Sequence, residues 1–532
     1  MRIVFTITPI SIRSPTMSGM RRISLVAAIC LGTFMASLDI SIVNVALPTM
    51  LESLQTDMSG LQWVVDAYAL CLSALILSSG PLGDRFGRKR IWLYGVALFT
   101  VGSIVCAFAS SLGMLLTGRV IQGIAGAAVI PGALSLLTHA FPEEQLRTRA
   151  IGIWSSVNAL SLVIGPVLGG LLVHTTGWPG IFWINIPVGI VALILGGWGL
   201  RESSHPEHAA LDPLGQGLSI LWLGALTYGL IAAGEFGWHS VQSRFPLYAA
   251  LALFALFLWV ETRVKRPLLQ LSLFRNADFS GYNLASFVLG FSAYSSVFFV
   301  SLFLQQAQGW SPADTGWRMA PEFLAMALAA SGFGRLSAKL SVNSLMIVGY
   351  GLMGVALLLL TQLHADSTYA LVALYLALLG FGMGLSMPAT SALVMRTVAP
   401  QRSGMASATM NALRQTGMTL GIALLGTLMS MKAVTTLTAA LQTQGVEQAA
   451  AIARTAVIEQ QQTAVDALSA SRMQALTHSA FADGFGIAML CAGLLSIVMT
   501  VWLLIMLHPR FRLHPQAGNA VLNKSPERLN EE

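Results

Sequence analysis

The stretch GPLGDRFGRKR, residues 80 to 90, separates two long apolar segments. Its glycines permit a very tight turn, because glycine carries no Cβ that would clash. Asp84 stands among basic residues that bring opposite charge to the ends of the flanking helices. This pattern predicts a charge latch that forms in one conformation and opens in another, and a plain basic anchor is the alternative. The residues concerned are Gly80, Gly83, Asp84, Arg85, Gly87, Arg88 and Lys89.

The segments around this loop are apolar over almost the whole chain. Of its 532 residues 55% are hydrophobic and only 10% charged, far below the roughly one-quarter charged content of soluble domains. Runs of about 20 apolar residues are long enough to cross a bilayer as helices. Fourteen such runs are predicted, at 22–47, 60–80, 91–110, 113–138, 149–173, 180–200, 214–234, 245–263, 281–304, 313–337, 344–362, 368–395, 404–431 and 482–507.

The basic residues predict how these spans are oriented. Lys and Arg favour cytoplasmic loops, and alternate loops differ sharply in their content. With the N-terminus inside, only five of the 30 Lys and Arg residues fall at the outer side, two lie within spans, and the remaining 23 are cytoplasmic. We therefore expect a multi-pass protein of the inner (plasma) membrane with both termini in the cytoplasm.

Several classes of function are disfavoured by the sequence. None of the five lysines follows a glycine, so the chain lacks a GxxxxGK(S/T) loop for ATP phosphates. The basic residues form no continuous patch for nucleic acid. His205 and His208 are too few for a metal site, and no nucleophile, base and orienting group form a recognisable catalytic motif. We predict neither an enzyme nor a metal site or other cofactor.

Four ionisable residues are predicted inside the membrane, where each costs at least a few kcal/mol and therefore suggests a function. Asp39, Asp66, Arg119 and Glu322 each lie roughly 9 to 15 Å below the outer face when counted at 1.5 Å per residue. We expect them to share one cavity, where Arg119 pairs with Asp39 or Asp66 and a carboxylate binds and releases protons. A structural ion pair that only tightens the bundle is the alternative. Arg414 lies at a comparable depth and also needs a partner.

The chain resembles the fourteen-span drug/proton antiporter branch of the major facilitator superfamily. Residues 80–90 are similar to the loop motif of that superfamily, and LDISIVNVALP (38–48) and NALRQTG (411–417) to signatures of the branch. RVIQGIAGA, from Arg119, resembles its proton-coupling motif, and IGPVLGG (164–170) its antiporter motif. The resemblance adds as site residues the hinge Gly165, Pro166, Gly169 and Gly170, together with Asn44, Gln122, Gly123, Asn411 and Arg414.

The resemblance implies an all-α membrane fold of two six-helix bundles with an inserted helix pair. The expected boundaries are a cytoplasmic extension at 1–21, a first bundle at 22–203, the inserted pair at 204–266, a second bundle at 267–507 with an outer loop at 432–480, and a cytoplasmic tail at 508–532. The outer loop is expected to be a partly helical cap or a solvated spacer.

The function implied is proton-driven export of hydrophobic, often cationic toxic compounds by alternating access. The expected partners are small-molecule substrates, protons and membrane lipid, with no nucleic acid, and a monomer is expected. A dedicated exporter of one metabolite or antibiotic, and a non-transporting membrane sensor on the same fold, are the alternatives.

Overall fold

The computed structural model describes residues 19–141, 143–204, 212–264, 267–398, 402–459 and 469–507. Within these ranges the regular structure is helical throughout. The predicted tail, His205 and His208, and all but the last three residues of the predicted N-terminal extension lie outside them.

The first bundle is formed by the helices that precede residue 200. They are α1 (Gly19–Leu54), α2 (Met58–Phe86), α3 (Arg88–Ala107), α4 (Leu112–Ala140), α5 (Glu144–Thr176), the short α6 (Gly180–Trp183) and α7 (Asn185–Gly199). Helices α8 (Pro213–Phe236) and α9 (Val241–Glu261) pack on each other as a hairpin, and α8 also contacts α2 and α15.

The second bundle follows a short 3₁₀ turn at Leu271–Arg275. Its helices are α10 (Ala277–Val288), α11 (Ser295–Leu302), α12 (Pro312–Ser337), α13 (Val342–Leu360), α14 (Tyr369–Arg396), α15 (Ser403–Thr443), α16 (Ala449–Val457) and α17 (Ala470–Leu507). Helices α10 and α11 are joined and continued by π-helical turns at Leu289–Tyr294 and Phe303–Ala307, which make residues 277–307 one long element. The predicted all-α architecture of two bundles and an inserted pair is confirmed.

The count of spans differs from the sequence prediction in one place. Thirteen helical elements of the described ranges are long and apolar enough to cross a membrane. The remaining predicted span, 313–337, is α12, in which Asp314, Arg318, Glu322 and Arg335 lower the hydropathy. Helix α12 nevertheless packs against α5 and α14. Of its charged side chains, Glu322 is buried within the helical assembly, whereas Asp314 and Arg335 are exposed.

The predicted outer loop at 432–480 is helical over much of its described length. Helix α15 continues past the predicted end of its span to Thr443, and α17 already begins at Ala470. Between them, α16 buries Ala449, Ala453 and Val457. This segment is packed against the protein on one face.

Glycines at 165 and 169 bring α5 against α1. A Cβ at Gly165 would lie 2.8 Å from the Cβ of Ser41, and one at Gly169 would lie 2.8 Å from the Cγ1 of Ile42. Real Cβ atoms do not approach so closely, so only glycine allows this spacing. Helix α5 runs unbroken through Pro166. In this conformation the predicted hinge is therefore a packing surface.

The same segment of α5 also meets α12 of the second bundle. A Cβ at Gly170 would lie 2.8 Å from the Cα of Ala313. On the α12 side of the same contact, a Cβ at Gly316 would lie 2.8 Å from the carbonyl carbon of Pro166 and 3.1 Å from the Cα of Val167. Small residues at such crossings let helix backbones approach closely in a membrane protein. Residues 165–170 thus contact one helix of each bundle.

Several hydrogen bonds join the two bundles, and they lie in the half of the molecule that is remote from Gly87. Gln62, near the start of α2, donates to the carbonyl of Ile422 at 3.0 Å. Ser301 donates to the carbonyl of Asn44 at 2.8 Å. Helix α2 begins near Gln62 and is followed by Gly87 at its other end. The bonds of Gln62 and Ser301 therefore hold the bundles together at the end of the molecule that is remote from Gly87.

We expect Gly316→Val to open the end remote from Gly87. The added methyl groups must push α5 and α12 apart, and overpacking of this kind costs about 1–3 kcal/mol, enough to shift a two-state ratio roughly 5- to 150-fold. Spin labels on cysteines at Glu52 and Asp366, in a background without native cysteines, measure the separation. Gly334→Val, on the same helix but in open space, is the control. Equal distance distributions for both variants would contradict the expectation.

Candidate functional site

A cavity lies between the two bundles. Both bundles contribute to its wall, which is mostly apolar and aromatic. Arg119 is the one charged side chain among the lining residues, and Ser41 and Asn44 are polar neighbours. The larger lining side chains include Tyr68, Tyr294, Phe323, Met326, Met383 and Met418.

Arg119 forms a buried ion pair with Asp39 at this wall. Arg119 Nη1 lies 2.5 Å from Asp39 Oδ2, and the two side chains are 1% and 0% exposed. The same guanidinium donates through Nε to the carbonyl of Val64 at 2.9 Å and through Nη1 to Gln122 Oε1 at 2.8 Å. The predicted pairing of Arg119 therefore falls on Asp39.

Gln122 connects the ion pair to its surroundings. Its Nε2 donates to Asp39 Oδ1 at 3.2 Å and to Ser103 Oγ at 2.9 Å. The carboxylate of Asp39 is thus held through both oxygens, one by Arg119 and one by Gln122. On the cavity side, the guanidinium carbon of Arg119 lies 4.7 Å from the centre of the Tyr68 ring. Tyr68 thus contacts the pair and lines the cavity beside Arg119, a role that the sequence prediction missed.

Asp66 is buried away from the cavity, and both of its carboxylate oxygens lack a hydrogen-bond partner. Val65 and Tyr68, on either side of it, line the cavity. Gln62 lies one helical turn earlier on the same face as Asp66, and it donates to α15. Asp66 therefore faces the seam between α2 and α15.

Glu322 is also fully buried with both carboxylate oxygens unpartnered, and it does not line the cavity. Its neighbour Phe323 does. The backbone of Glu322 packs against Gly380 of α14. The prediction that all four charges share one cavity is therefore wrong: Arg119 lines the cavity, Asp39 is connected to it through its pair with Arg119, and Asp66 and Glu322 do not line it. Residue counts fix the depth of a side chain along a helix, whereas its direction around the helix depends on how the helix is rotated.

Arg414 has an amide and an aromatic ring as neighbours. Its Nη2 donates to Asn411 Oδ1 at 2.5 Å, and its guanidinium carbon lies 5.5 Å from the centre of the Tyr294 ring. Of the other predicted residues, Asn44 has an unpartnered Oδ1 at the cavity. Gly123 allows α4 to approach the backbone of Tyr68 on α2.

The predicted latch is held mainly by one ion pair. Both Nε and Nη2 of Arg88 lie 2.8 Å from Asp84 Oδ1. Lys89 Nζ donates to the carbonyl of Gly197 at 2.7 Å, while the guanidinium carbon of Arg85 lies 5.4 Å from the centre of the Phe86 ring.

The tight turn is made by a single glycine. Gly80 and Gly83 lie inside α2, so the prediction that they help to form the turn is wrong. Gly87 alone separates α2 from α3, with φ of +103°. A one-residue break needs this left-handed backbone, whereas Gly80 and Gly83 lie within helix α2, which continues to Phe86.

Glu202 belongs to the latch and was missed by the sequence prediction. Its Oε1 accepts from the backbone N–H of Lys89 at 3.1 Å, and its Oε2 from that of Arg90 at 3.3 Å. A carboxylate at a helix N-terminus is favoured by the helix dipole, so Glu202 caps α3. A Cβ at Gly87 would lie 2.6 Å from the carboxylate carbon of Glu202, too close for any residue but glycine. The only sequence feature that could have indicated this role is the position of Glu202, an acidic residue, just after α7.

Comparison with protein families decides the identity of this fold. Residues 29–422 match the family model described as Major Facilitator Superfamily. The chain belongs to this superfamily. It is therefore a multi-pass membrane transporter and not an enzyme.

Curated relatives of this major facilitator chain are named for drug resistance. It is 38% identical over 400 residues, 75% of this chain and 74% of the other, to the multidrug resistance protein Stp of Mycobacterium tuberculosis. It is 34% identical to the methylenomycin A resistance protein of Bacillus subtilis, covering 77% and 88%. It is 32% identical to the tetracenomycin C resistance and export protein of Streptomyces glaucescens, covering 88% and 89%.

Solved structures share the fold at low identity. A bacterial homolog of the human lysosomal transporter Spinster, inward-facing and occupied, aligns with a TM-score of 0.63 at 18% identity, covering 94% of this chain and 100% of that one. The nucleoside transporter NupG aligns with a TM-score of 0.60 at 10% identity, covering 92% and 100%. These likenesses confirm the major facilitator fold.

We expect the ion pair to show strong coupling in a double-mutant cycle. Arg119→Gln leaves the Asp39 carboxylate buried without its countercharge, which costs about 3–5 kcal/mol. Asp39→Asn/Arg119→Gln removes both charges and should be less destabilised than the Arg119→Gln single variant. Thermal unfolding in detergent measures all four proteins. A double variant whose loss equals the sum of the single losses would argue against direct pairing.

Two glycines of the loop motif, Gly87 and Gly80, should differ in how well they tolerate substitution by alanine. Gly87→Ala forces a side chain into a left-handed backbone, at about 1–2 kcal/mol, and into the carboxylate of Glu202. We expect it to lower both thermal stability and transport. Gly80→Ala, in a helix with nothing within 4 Å of the new Cβ, is the matched control and should keep both. The expectation fails if the two variants behave alike.

Proposed function

We propose that this transporter is a proton-coupled antiporter that exports hydrophobic, often cationic, toxic compounds from the cytoplasm by alternating access. Its energy source is the proton gradient, and it uses no cofactor. The observation that carries the proposal is the Asp39–Arg119 pair, which lies buried at the wall of an apolar cavity between two bundles.

The pair supplies a carboxylate, that of Asp39, which can bind either Arg119 or a proton. When Asp39 is ionised, Arg119 and Gln122 hold it through both oxygens. A proton on Asp39 would remove the charge that Arg119 compensates and would weaken this attachment. A charge so deep in a membrane protein is costly and is retained where it has a task. Protonation of Asp39 would thus loosen α1 from α4 next to the substrate cavity.

The cavity suits varied hydrophobic bodies. Met326, Met383 and Met418 are flexible and polarisable, so they adapt to different shapes. Aromatic rings offer flat apolar surfaces, as is common in drug-binding pockets. A cationic substrate would meet the face of the Tyr68 ring and would compete with Arg119 and the proton for Asp39.

The closed end of the molecule supports the direction of transport. The bundles are joined at the end remote from Gly87, and the basic loop at Gly87 is expected to be cytoplasmic. A cavity sealed on the outer side is the state that takes up a substrate from the cytoplasm. Rocking of the bundles would then break the contacts of Gly170 and Gly316 and open the outer side.

The names of the relatives support export, but they leave open how many different substrates are exported. One is named for multidrug resistance, whereas two are named for single antibiotics. The latter names favour the second candidate, a dedicated exporter of one compound. A panel of dyes, quaternary ammonium compounds and antibiotics, tested on expressing and non-expressing cells, separates the two: protection against one member alone favours the dedicated exporter.

We expect Asp39→Asn to abolish proton-driven transport, because the amide keeps the shape but cannot exchange a proton. The fold is retained at a lower thermal stability, since Arg119 loses its countercharge. The measurement is uptake of a fluorescent cationic dye into inside-out vesicles under an imposed pH gradient. Asp366→Asn, an exposed acid outside the helices, is the matched control and should transport normally. Full gradient-driven uptake by Asp39→Asn would overturn the mechanism.

A further inference from the structure

Arg414 differs from Arg119 in that its charge is uncompensated. Among the described residues no carboxylate lies within 4 Å of its guanidinium, although Arg414 lies inside a helix, in the first third of α15. We propose that Arg414, positioned by Asn411 and Tyr294, binds the anionic group of amphipathic substrates such as aromatic carboxylates. This inference rests on the proposed export function and names a further class of substrate for it.

The position of Arg414 on α15 connects it to the cavity. Met418 and Ile422, which line the cavity, follow Arg414 at intervals of four residues. Residues spaced by four lie on one face of a helix, one turn above the other. Arg414 therefore continues the cavity-lining stripe by one turn, toward the end of the molecule that carries Gly87.

Tyr294 gives a second, independent link. Its ring lines the cavity and lies 5.5 Å from the guanidinium carbon of Arg414. Tyr294 stands in the π-helical turn at Leu289–Tyr294, a feature that is frequent at functional sites. A ligand lying against Tyr294 in the cavity is within reach of Arg414.

The guanidinium is oriented and still has donors to offer. Asn411 Oδ1 accepts one hydrogen bond from Nη2, and Asn411 is itself fixed by its Nδ2 bond to the carbonyl of Ser407 at 2.9 Å. A guanidinium has five N–H groups in a planar fork that matches a carboxylate in a two-bond arrangement. The remaining donors of Arg414, which is only half-buried, are available for such a ligand.

An anion is the ligand that this charge favours. Arg119 is neutralised by Asp39, whereas Asn411 and Tyr294 bring no net charge to Arg414. Bringing a second cation next to Arg414 would add repulsion in a poorly solvated place, while a carboxylate would supply the missing countercharge. The apolar wall beyond Met418 would then hold the hydrophobic body of the same molecule.

The test compares two dyes with one aromatic body. Rhodamine 110 carries a free carboxylate, and rhodamine 123 is its methyl ester. Binding of each dye to the purified full-length protein in detergent is measured by fluorescence polarisation. We expect Arg414→Gln to weaken binding of rhodamine 110 about tenfold, close to the value of one charge-assisted contact, and not to weaken binding of rhodamine 123. Arg414→Lys should lose less for rhodamine 110.

Arg318→Gln is the matched control. Arg318 also lies in the second bundle and stacks on aromatic rings, those of Trp310 and Tyr369, but neither of these rings lines the cavity, whereas Tyr294 does. Equal losses for both dyes in Arg414→Gln, or no loss for rhodamine 110, would overturn the inference. Because binding in detergent involves no gradient, failure of the proposed proton coupling is read separately, in the vesicle assay of Asp39→Asn.

Discussion

The buried attachment of Arg119 to Asp39 constrains the whole first bundle. A guanidinium surrounded by apolar helices must have its donors satisfied, and here three different helices supply the acceptors: Asp39 on α1, Val64 on α2 and Gln122 on α4 itself. Those helices must come close together. Glycine makes this possible, since a Cβ at Gly123 would lie 2.7 Å from the Cβ of Cys71.

The two bundles differ in how they treat charge. The first holds a compensated pair beside the cavity, whereas the second holds Glu322 without a hydrogen-bond partner and Arg414 without a carboxylate. Asp66, also unpartnered, faces the seam where α2 meets α15. A transporter that changes its bundle contacts gives such groups new surroundings in each state. On the proposed mechanism, these uncompensated groups are the ones whose environment changes most as the seam moves.

Much of the fold could be predicted from the sequence, because apolar run length and basic loops depend on local chemistry. Depth could be predicted for the same reason: Asp39 and Arg119 were placed in one layer by counting residues, and they pair. The directions in which the side chains of Asp66 and Glu322 point could not be predicted, since these directions depend on how each helix is rotated about its axis. The role of Glu202 could not be predicted either, because it arises from contacts with Lys89 and Arg90, which are distant in sequence. Such contacts follow from tertiary packing, not from local pattern.

The chemistry of the closed end explains how it can open. Gln62 and Ser301 join the bundles there through neutral hydrogen bonds to backbone carbonyls, each worth a net contribution of about 0.5–1.5 kcal/mol. Glycine contacts at Gly170 and Gly316 add close packing but no charge. None of the ion pairs in the described ranges joins the two bundles. A seal of this kind breaks without separating buried charges, so its opening is not opposed by their desolvation. The costly charges are kept at Asp39 and Arg119, within one bundle, where a proton can act on them.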